Sequence, residues 1–243
     1  MATGETVAVV PAAGGGRRMG GAPGEPPKQL RRLGDAPVVV QSLRALARHA
    51  AVSALVVVGP AGDTADLEAA LRRHPLGKPV RVVEGGPTRQ ASVGRGLAAL
   101  PASADIVLVH DAVRPFLPYD ALERVIGAVR EHGAAALAIP VADTVRRADG
   151  GAFGETVPRE GLWRMQTPQA FRADLLREAH AQLGDVTGTD EVELVRRLGH
   201  PVRLVRGSAL NLKLTTPTDW ALAEALWPVW RSGSVEGREE PEN

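Results

Sequence analysis

Short apolar runs alternate along the chain with longer amphipathic stretches. The runs are four to six residues long, rich in β-branched side chains and bounded mostly by Gly, Pro or Asp, which is typical of strands buried on both faces of a parallel sheet. They lie at Val7–Val10, Ala54–Val58, Val80–Val83, Asp105–Val109, Ala134–Ile139 and Val202–Val205. Their alternation with helical patterns predicts a doubly wound, mostly parallel α/β sheet.

Two helices carry terminal signals. The stretch Ala121–His132 has apolar residues at helical spacing; Asp120-x-x-Glu123 at its start predicts a capping box, and Gly133 predicts its end. A Thr-Pro pair shortly before Trp220–Trp227 predicts an N-cap followed by proline in the first helical turn. Both stretches are therefore predicted as helices.

One segment interrupts the alternation. Residues 144–157 form two short extended pieces around Asp149-Gly150-Gly151, which predicts a hairpin that is too polar for the core. Such a hairpin needs another surface to pack on, and we expect that surface to be a second subunit. Because no repeat or linker divides the chain, we expect a single domain at 1–230 with an arm at about 142–165 and a disordered tail at 231–243.

Composition and charge exclude several classes of protein. The chain is 44% hydrophobic and 23% charged, and its net charge of +1 gives no basic field for nucleic acid or a membrane surface. The absence of cysteine excludes disulfide scaffolds, thiolate metal sites and cysteine nucleophiles. No apolar run approaches the roughly 18 residues that a membrane span needs, and no basic signal-peptide start is present. We therefore expect a cytoplasmic protein that binds small molecules.

The loop after the first predicted strand has the composition of a phosphate site. In open parallel sheets, ligands bind beyond the carboxyl ends of the strands. Residues 11–29 contain three consecutive glycines and cationic side chains that include Arg18 and Lys28. The loop is not a P-loop, because Gly21 stands where lysine is required, and Met19 breaks the dinucleotide fingerprint. A flexible surface loop is the alternative interpretation.

Two other strand ends carry polar residues. After the third strand, Thr88 predicts a helix cap and places Arg89 and Ser92 on one face of the first turn, where free amides attract anions. Asp111 follows the fourth strand directly and suits a hard cation such as magnesium. An ordinary capped helix and an Asp111–Arg114 ion pair are the respective alternatives.

Two polar segments lie towards the C-terminus. Thr167-Pro168-Gln169 predicts a rigid polar turn just after the arm. The segment Asn211–Thr215 alternates like a strand, so that Asn211, Lys213 and Thr215 are predicted to share one face. A solubility role for Lys213 on an edge strand is the alternative to a ligand contact.

Together these motifs resemble the 2-C-methyl-D-erythritol 4-phosphate cytidylyltransferases of the non-mevalonate isoprenoid pathway. The matching segments run in order from residue 11 to residue 216, and HDAVRP and TPQ are the most specific: PAAGGGRRMG, PPKQ, the GG…R..S turn, VLVHDAVRP, PVADT, GLWRMQTPQAF, GTDE and NLKLT. The resemblance implies a nucleotide-diphosphosugar-transferase-like (Rossmann-like) fold and a homodimer joined by the arm. It also implies CTP and Mg²⁺ as ligands and pyrophosphate as by-product.

The resemblance assigns roles to individual residues. The catalytic cations at the reacting phosphates are implied to be Arg18, Lys28 and Lys213, and magnesium is implied to bind Asp111. The CTP contacts are implied to be Ala12, Ala13, Gly14, Gly16, Arg89, Ser92 and Ala112. The contacts to methylerythritol phosphate are implied to be Arg114, Thr144, Arg159, Thr167 and Thr189. Of these, Thr144 and Arg159 reach in from the arm of the second subunit, and Thr189 serves as a substrate contact or a cap.

Some alternatives stay open on the sequence. Pro87 and Leu210 stand where the family usually has acids, after the glycine pair and before Asn-x-Lys respectively. Cytidylyltransferases for another polyol phosphate, such as ribitol 5-phosphate, share nearly all the motifs, and residues 140–170 shape the acceptor site. A dinucleotide-dependent oxidoreductase and a non-catalytic nucleotide-binding regulator are the alternatives from other classes.

Overall fold

The computed structural model describes residues 4–14, 26–183, 188 and 190–233. The strands of this part are β1 (Glu5–Pro11), β2 (Arg32–Leu33), β3 (Ala36–Pro37), β4 (Val52–Gly59), β5 (Val80–Glu84), β6 (Ala104–Val109), β7 (Ala134–Pro140), β8 (Val145–Asp149), β9 (Ala152–Val157), β10 (Trp163–Arg172) and β11 (Arg203–Arg206). The α-helices are α1 (Val38–Ala47), α2 (Ala65–Arg73), α3 (Arg89–Ala98), α4 (Tyr119–His132), α5 (Ala173–Leu183), α6 (Glu191–Arg197) and α7 (Pro217–Arg231).

Seven of these strands form one sheet in the order β11-β7-β10-β6-β1-β4-β5. The pairs β1–β4, β1–β6, β4–β5 and β7–β11 are parallel, whereas β10 is antiparallel to both β6 and β7. The six strands predicted from the sequence are β1, β4, β5, β6, β7 and β11, so the prediction of a mostly parallel α/β sheet is confirmed.

Helices cover both faces of the sheet. Along β1, Ala8 and Val10 pack into a cluster with α1, α2 and α4, whereas Val7 and Val9 pack with α3, α5 and α6. All four side chains are fully buried. Because successive residues of a strand point to opposite faces, a strand with helices on both sides must be apolar throughout, as the sequence pattern shows.

The structure corrects the prediction of a polar turn at Thr167-Pro168-Gln169. These residues lie inside β10, where the register shifts between Met165 and Gln169 and the Thr167–Pro168 peptide bond is cis. A bulge interrupts the hydrogen-bond ladder, and proline, which has no N–H to donate, is tolerated at such a point. The strand was missed because its polar centre lacks the apolar pattern of its neighbours.

The prediction of a strand at Asn211–Thr215 is also wrong. This segment has no regular secondary structure, although Leu214 N–H donates to Val113 O at 2.9 Å. Its odd-numbered side chains do not share a face: Asn211 Nδ2 donates to Thr167 O at 2.8 Å, but Thr215 Oγ1 donates to Asp219 Oδ2 at 2.8 Å. Alternating polar and apolar residues form a strand only where a neighbouring strand is available for pairing. Residues 211–215 are instead fixed largely by hydrogen bonds of their side chains.

Two of the three helix-end signals predicted from the sequence are confirmed, and one is wrong. Gly133 ends α4 with a left-handed φ of 82°, and Thr216 with Asp219 forms a capping box at the start of α7. The predicted capping box of α4 is wrong, because Pro118 is its N-cap and Glu123 Oε2 lies 2.7 Å from His49 Nε2. Helix α7 is longer than the predicted Trp220–Trp227 and ends at Arg231.

The predicted hairpin is present as β8 and β9, which pair antiparallel on either side of Gly150-Gly151. Its side chains are largely exposed, and Phe153 on β9 is 87% exposed. Residues 234–243 of the predicted tail lie outside the described part of the chain. None of the helices that the structure describes is long and apolar enough to span a bilayer.

A stability prediction follows from the turn between β2 and β3. Gly34 has a φ of +65°, and a Cβ at this position would overlap the indole Nε1 of Trp227 on α7. We expect Gly34→Ala to lower the free energy of unfolding by about 2–4 kcal/mol, through backbone strain and displacement of the indole together. Urea denaturation measures the loss.

The matched control is Gly62→Ala, where φ is +77° but the space is open, with a smaller expected loss of about 1–2 kcal/mol. Equal losses in the two variants would contradict the packing argument.

Candidate functional site

A cavity of about 520 Å³ opens at the carboxyl ends of β1, β5 and β6. This is the edge at which ligands bind in open α/β sheets. Its lining includes nine residues assigned from the sequence: Ala12, Ala13, Gly14, Lys28, Arg89, Ser92, Asp111, Ala112 and Lys213. The structure thus brings together residues that are up to 201 positions apart in the chain, from Ala12 to Lys213.

Backbone segments in close contact form one wall of the cavity. Ala12 N–H donates to Val58 O at 2.7 Å, and Gly85 N–H donates to Gly59 O at 2.8 Å. A Cβ on Gly85 would lie 2.6 Å from Gly59 O and 2.8 Å from Ala13 Cβ, so only glycine allows this approach. The loops after β1, β4 and β5 are therefore tied together at the cavity.

The N-terminus of α3 borders the same cavity. As predicted, Thr88 is its N-cap, because Thr88 Oγ1 accepts a hydrogen bond from Ala91 N–H at 3.0 Å. Ser92 Oγ accepts from Gly86 N–H at 3.1 Å and lies 2.9 Å from Thr88 O, to which it donates. Ser92 thus holds the glycine turn against the helix, while Arg89, at the first helical position, lines the cavity.

Asp111 lies at the centre of a cluster of cations. Its Oδ2 is 2.9 Å from Lys213 Nζ and 3.3 Å from Arg114 Nε, and its Oδ1 is 3.8 Å from Arg89 Nε. Burial by itself would raise the pKa of Asp111, but Lys213, Arg114 and Arg89 outweigh burial and hold the pKa well below its usual range. The carboxylate is therefore ionised at neutral pH.

The residues behind Asp111 fix its position. His110 Nδ1 lies 3.1 Å from Thr167 Oγ1, His110 Nε2 lies 3.1 Å from Arg114 O, and Thr167 Oγ1 accepts from Asp111 N–H at 3.0 Å. Burial lowers the pKa of His110 to about 4, so its imidazole is neutral at neutral pH. The hydrogen bonds are consistent with a hydroxyl that donates to Nδ1 and an Nε2–H that donates to the carbonyl. His110 therefore orients the strand end rather than carrying charge.

Arg114 and Thr167, two of the predicted substrate contacts, are buried in this support. Arg114 is 8% exposed, and besides Asp111 it binds the Asn211 carbonyl, to which Nη1 donates at 2.6 Å. Burial lowers the pKa of Arg114, and Asp111 opposes this decrease. Within one chain the Arg114 side chain joins the loops of residues 111–114 and 211–213, while Thr167 bonds Asp111 through its hydroxyl and Asn211 through its backbone carbonyl.

The remaining predicted residues lie elsewhere. Thr144 and Arg159 are exposed at the base of the arm, where Arg159 Nη1 donates to Ala142 O, and neither lines the cavity of its own chain. Gly16, Arg18 and Thr189 lie outside the described residues.

Two functional candidates were missed in the sequence, although the quoted motifs contain them. Glu191 is 1% exposed, and its oxygens accept from Arg89 Nη1 at 3.0 and 2.7 Å. Burial raises the pKa of Glu191, and Arg89 is the neighbour that opposes the rise. Burial would lower the pKa of Arg89, but Glu191 and Asp111 reverse this and raise it, so the guanidinium is charged. The second residue, Gln169, accepts from Glu191 N–H at 3.2 Å.

The donor set at Asp111 fits a magnesium ion that is shared with a phosphate ligand. Oδ2 is engaged by two cations, whereas among the described ion pairs the one to Oδ1 is the longest, with Arg89 Nε 3.8 Å away. No group of three or more His, Cys, Asp or Glu side chains that could hold a metal occurs among the residues that the structure describes. Magnesium is commonly held by one or two carboxylates, with phosphate oxygens and water as its other ligands. Asp111 Oδ1 is therefore the candidate protein ligand.

Comparisons with known proteins agree with the site. The family model described as 2-C-methyl-D-erythritol 4-phosphate cytidylyltransferase matches residues 6–228. A protein of that name from Salinibacter ruber is 51% identical over 225 residues, which cover 92% of this chain and 93% of that protein. One from Deinococcus radiodurans is 45% identical over 234 residues, with 96% and 91% covered.

Solved structures of similar proteins share the fold. The crystal structure of 2-C-methyl-D-erythritol 4-phosphate cytidylyltransferase from Thermus thermophilus matches with a TM-score of 0.77 and 39% identity, covering 91% of this chain and 98% of that one. A crystal structure of a 4-diphosphocytidyl-2C-methyl-D-erythritol synthase matches with a TM-score of 0.78 and 38% identity, with 93% and 99% covered. The fold, the cavity and the match over nearly the whole sequence lead to one assignment: the chain belongs to the 2-C-methyl-D-erythritol 4-phosphate cytidylyltransferase family.

Proposed function

We propose that this protein transfers CMP from CTP to 2-C-methyl-D-erythritol 4-phosphate, giving 4-diphosphocytidyl-2-C-methyl-D-erythritol and pyrophosphate, as a step of isoprenoid precursor biosynthesis. The observation that carries the proposal is the cavity at the sheet edge, where Arg89 and Lys213 pair with Asp111 and Lys28 lines the same cavity. Membership of the family supports the identity of both substrates.

The reaction needs no general base. A phosphate oxygen of the acceptor forms a bond to the α-phosphorus of CTP, and the bond from that phosphorus to the bridging oxygen of pyrophosphate breaks. The nucleophile is already an anion near neutral pH, so no proton has to be removed. His110, next to Asp111 in the chain, is buried, neutral and bonded to Thr167 and the Arg114 carbonyl, which fits a positioning role.

What the reaction requires is compensation of negative charge, because an anionic acceptor approaches a polyanion. Lys28, Arg89 and Lys213 bring positive charge to the cavity, and Arg18, which lies outside the described residues, is assigned to the same task by the resemblance. In the ligand-free chain Lys213 is paired with Asp111 at 2.9 Å. A bound triphosphate offers Lys213 a second anionic partner within reach of its flexible side chain.

Magnesium is part of the proposal, with Asp111 as its protein ligand. The cation, when bound, supplies charge neutralisation and orientation of the triphosphate. Asp111 is prepared for this role because its ionised state is secured by Lys213 and Arg114 on Oδ2, while Oδ1 lies 3.8 Å from Arg89. The backbone hydrogen bond to Thr167 Oγ1 keeps the carboxylate at the end of β6.

A homodimer joined through the arm is a further part of the proposal. Phe153 on β9 is 87% exposed, and Met165 on β10 is 42% exposed, so the arm and the strand that follows it present apolar side chains to solvent. Thr144 and Arg159 lie at the arm base and not in the cavity of their own chain. Both features are accounted for if the arm packs on a second subunit and completes the acceptor site there. A cytoplasmic location belongs to the same proposal, since the charged substrates do not cross a membrane unaided.

The acceptor is the part of the proposal that needs the most direct test. We expect the purified protein to release pyrophosphate from CTP and Mg²⁺ with 2-C-methyl-D-erythritol 4-phosphate, and at least about tenfold more slowly, in kcat/KM, with ribitol 5-phosphate. The measurement is a coupled pyrophosphate assay with each polyol phosphate in turn. Preference for ribitol 5-phosphate would select the alternative acceptor, and CTP binding without pyrophosphate from any acceptor would indicate a regulator. The family match leaves no support for an oxidoreductase.

Lys213 gives a prediction on catalysis. We expect Lys213→Met to lower kcat by roughly 10²–10³-fold, because one cation aimed at the reacting phosphates is lost. The same pyrophosphate assay under saturating substrates gives kcat, and circular dichroism confirms folding. Lys78→Met is the matched control, since Lys78 lies beside a different surface cavity next to β5 and should leave kcat unchanged. An active Lys213→Met enzyme would remove Lys213 from the catalytic set.

Arg159 gives a prediction on the arm. We expect Arg159→Ala to raise KM for the acceptor while leaving the affinity for CTP nearly unchanged, because Arg159 does not line the CTP cavity of its own chain. Isothermal calorimetry with CTP and steady-state kinetics with the acceptor separate the two effects. Arg147→Ala is the control on the same hairpin, where Arg147 pairs with Glu155 at 2.7 Å.

A mixing experiment tests whether Arg159 acts across subunits. When Arg159→Ala and Lys213→Met proteins are unfolded, mixed and refolded together, each mixed dimer contains one site with both residues intact if the arm serves the partner's cavity. Random pairing then restores about a quarter of wild-type activity. If Arg159 serves its own chain, both sites of every mixed dimer stay defective, and activity stays at the level of the parent variants.

A further inference from the structure

Glu191 is a buried carboxylate to which the motif comparison assigned no role. It is the first residue of α6, is 1% exposed, and binds Arg89 Nη1 with both oxygens. Arg89 is the first residue of α3, so one ion pair joins the starts of two helices. We propose that Glu191 is a positioning residue that holds the Arg89 guanidinium at the cavity wall in the orientation that meets CTP; this rests on the proposed function.

Two carboxylates compete for the Arg89 guanidinium. Glu191 contacts Nη1 at 2.7 and 3.0 Å, whereas Asp111 Oδ1 stands 3.8 Å from Nε, beyond hydrogen-bond distance. Without the charge on Glu191, Asp111 exerts the strongest remaining attraction on Arg89, with a smaller one from Asp190, and Arg89 shifts towards Oδ1. That shift would occupy Oδ1, the candidate magnesium ligand, and change the orientation in which Arg89 meets CTP. Glu191 therefore keeps Arg89 and Asp111 apart.

Asp111 does not need Arg89 for its own neutralisation. Its Oδ2 already has Lys213 at 2.9 Å and Arg114 at 3.3 Å. The charges are thus distributed between two centres, with Lys213 and Arg114 serving Asp111 while Arg89 is balanced by Glu191. Since Arg89 remains about one-third exposed at the cavity, the pair leaves part of the guanidinium accessible to a ligand.

Gln169 fixes the position of Glu191, because its side-chain amide both accepts and donates a hydrogen bond at the start of α6. Gln169 Oε1 accepts from Glu191 N–H at 3.2 Å, and Gln169 Nε2 donates to Asp190 Oδ2 at 2.9 Å. Gln169 is opposite Val109 in the β10–β6 pairing, two residues before Asp111. The paired strands β6 and β10 therefore set the positions of both carboxylates around Arg89. A positioning role requires such fixed placement, which an ion pair on the surface does not have.

The first test replaces the charge while keeping the shape. We expect Glu191→Gln to raise the dissociation constant for CTP by about 10- to 100-fold, the range for loss of a charge-assisted contact, with KM for the acceptor unchanged. Calorimetric titration with CTP gives the constant. The matched control is Glu193→Gln, a change of the same kind on the same helix, where Glu193 pairs with Arg197 on the surface. Wild-type CTP affinity in Glu191→Gln would overturn the proposal.

A double-mutant cycle distinguishes positioning from a general structural role. Arg89→Ala removes the CTP contact, so adding Glu191→Gln to it should change CTP affinity no further. Arg89→Ala also leaves Glu191 buried without its cation, and Glu191→Gln should therefore restore melting temperature in that background. Additive losses of CTP affinity would show that Glu191 acts by another route and would overturn the proposal.

Two other outcomes of these experiments are also informative. If Glu191→Gln does not fold, Glu191→Asp retains the charge at shorter reach and should show a smaller loss of CTP affinity, whereas unchanged affinity would count against positioning. If the wild-type protein releases no pyrophosphate with any acceptor, the proposed function fails, but CTP titration and melting temperatures still report on the pair. If the wild type is active and Glu191→Gln binds CTP normally, only the positioning role fails.

Discussion

The organisation of this molecule depends on a buried carboxylate that keeps several cations together before any ligand arrives. Lys213, Arg114 and Arg89 converge on Asp111 within 2.9–3.8 Å. Without Asp111 these like charges would repel one another in a partly desolvated cavity, and without the cations a carboxylate that is only 7% exposed would carry a desolvation penalty of several kcal/mol. Glu191 is a second buried carboxylate of this kind, and it pairs with Arg89. The site is therefore preorganised by linked ion pairs, and a polyanion meets cations that are already in place.

The sheet supplies the geometry that these ion pairs require. Asp111 follows β6, whose last four residues are buried, so its backbone has little freedom, and the contact of its N–H with Thr167 ties it to the bulge of β10. The antiparallel insertion of β10 beside β6 brings Gln169 and the segment around Asn211 to the same edge. Loops after parallel strands provide the cavity walls, and one antiparallel strand provides the supports behind them. This division explains why a polar strand lies in the middle of an otherwise apolar sheet.

Much of this architecture was predictable, for a physical reason. Strands buried on both faces must be apolar, so β1, β4, β6 and β7 were evident from the hydrophobic pattern. The edge strands β5 and β11 were evident from short runs rich in valine. Caps such as Thr216 and Gly133 were also evident, because their chemistry is local. The strand β10 and the irregular path of residues 211–215 were not, since both depend on hydrogen bonds to distant partners. Glu191 escaped notice for the same reason, because nothing near it in the sequence shows that Arg89 lies opposite.

The placement of the predicted residues separates two functions in space. The residues assigned to CTP and to the metal that are described gather in a cavity of one chain, whereas Thr144 and Arg159 stand at the base of an arm outside it. Under the proposed dimer, nucleotide recognition is complete within a chain and acceptor recognition is completed by its neighbour. Changes in the arm can then alter the acceptor without disturbing the ion pairs around Asp111. Under the proposed function, that independence gives a structural reason why cytidylyltransferases for different polyol phosphates can share the nucleotide motifs, with Thr144 and Arg159 on the arm as the candidates for acceptor specificity.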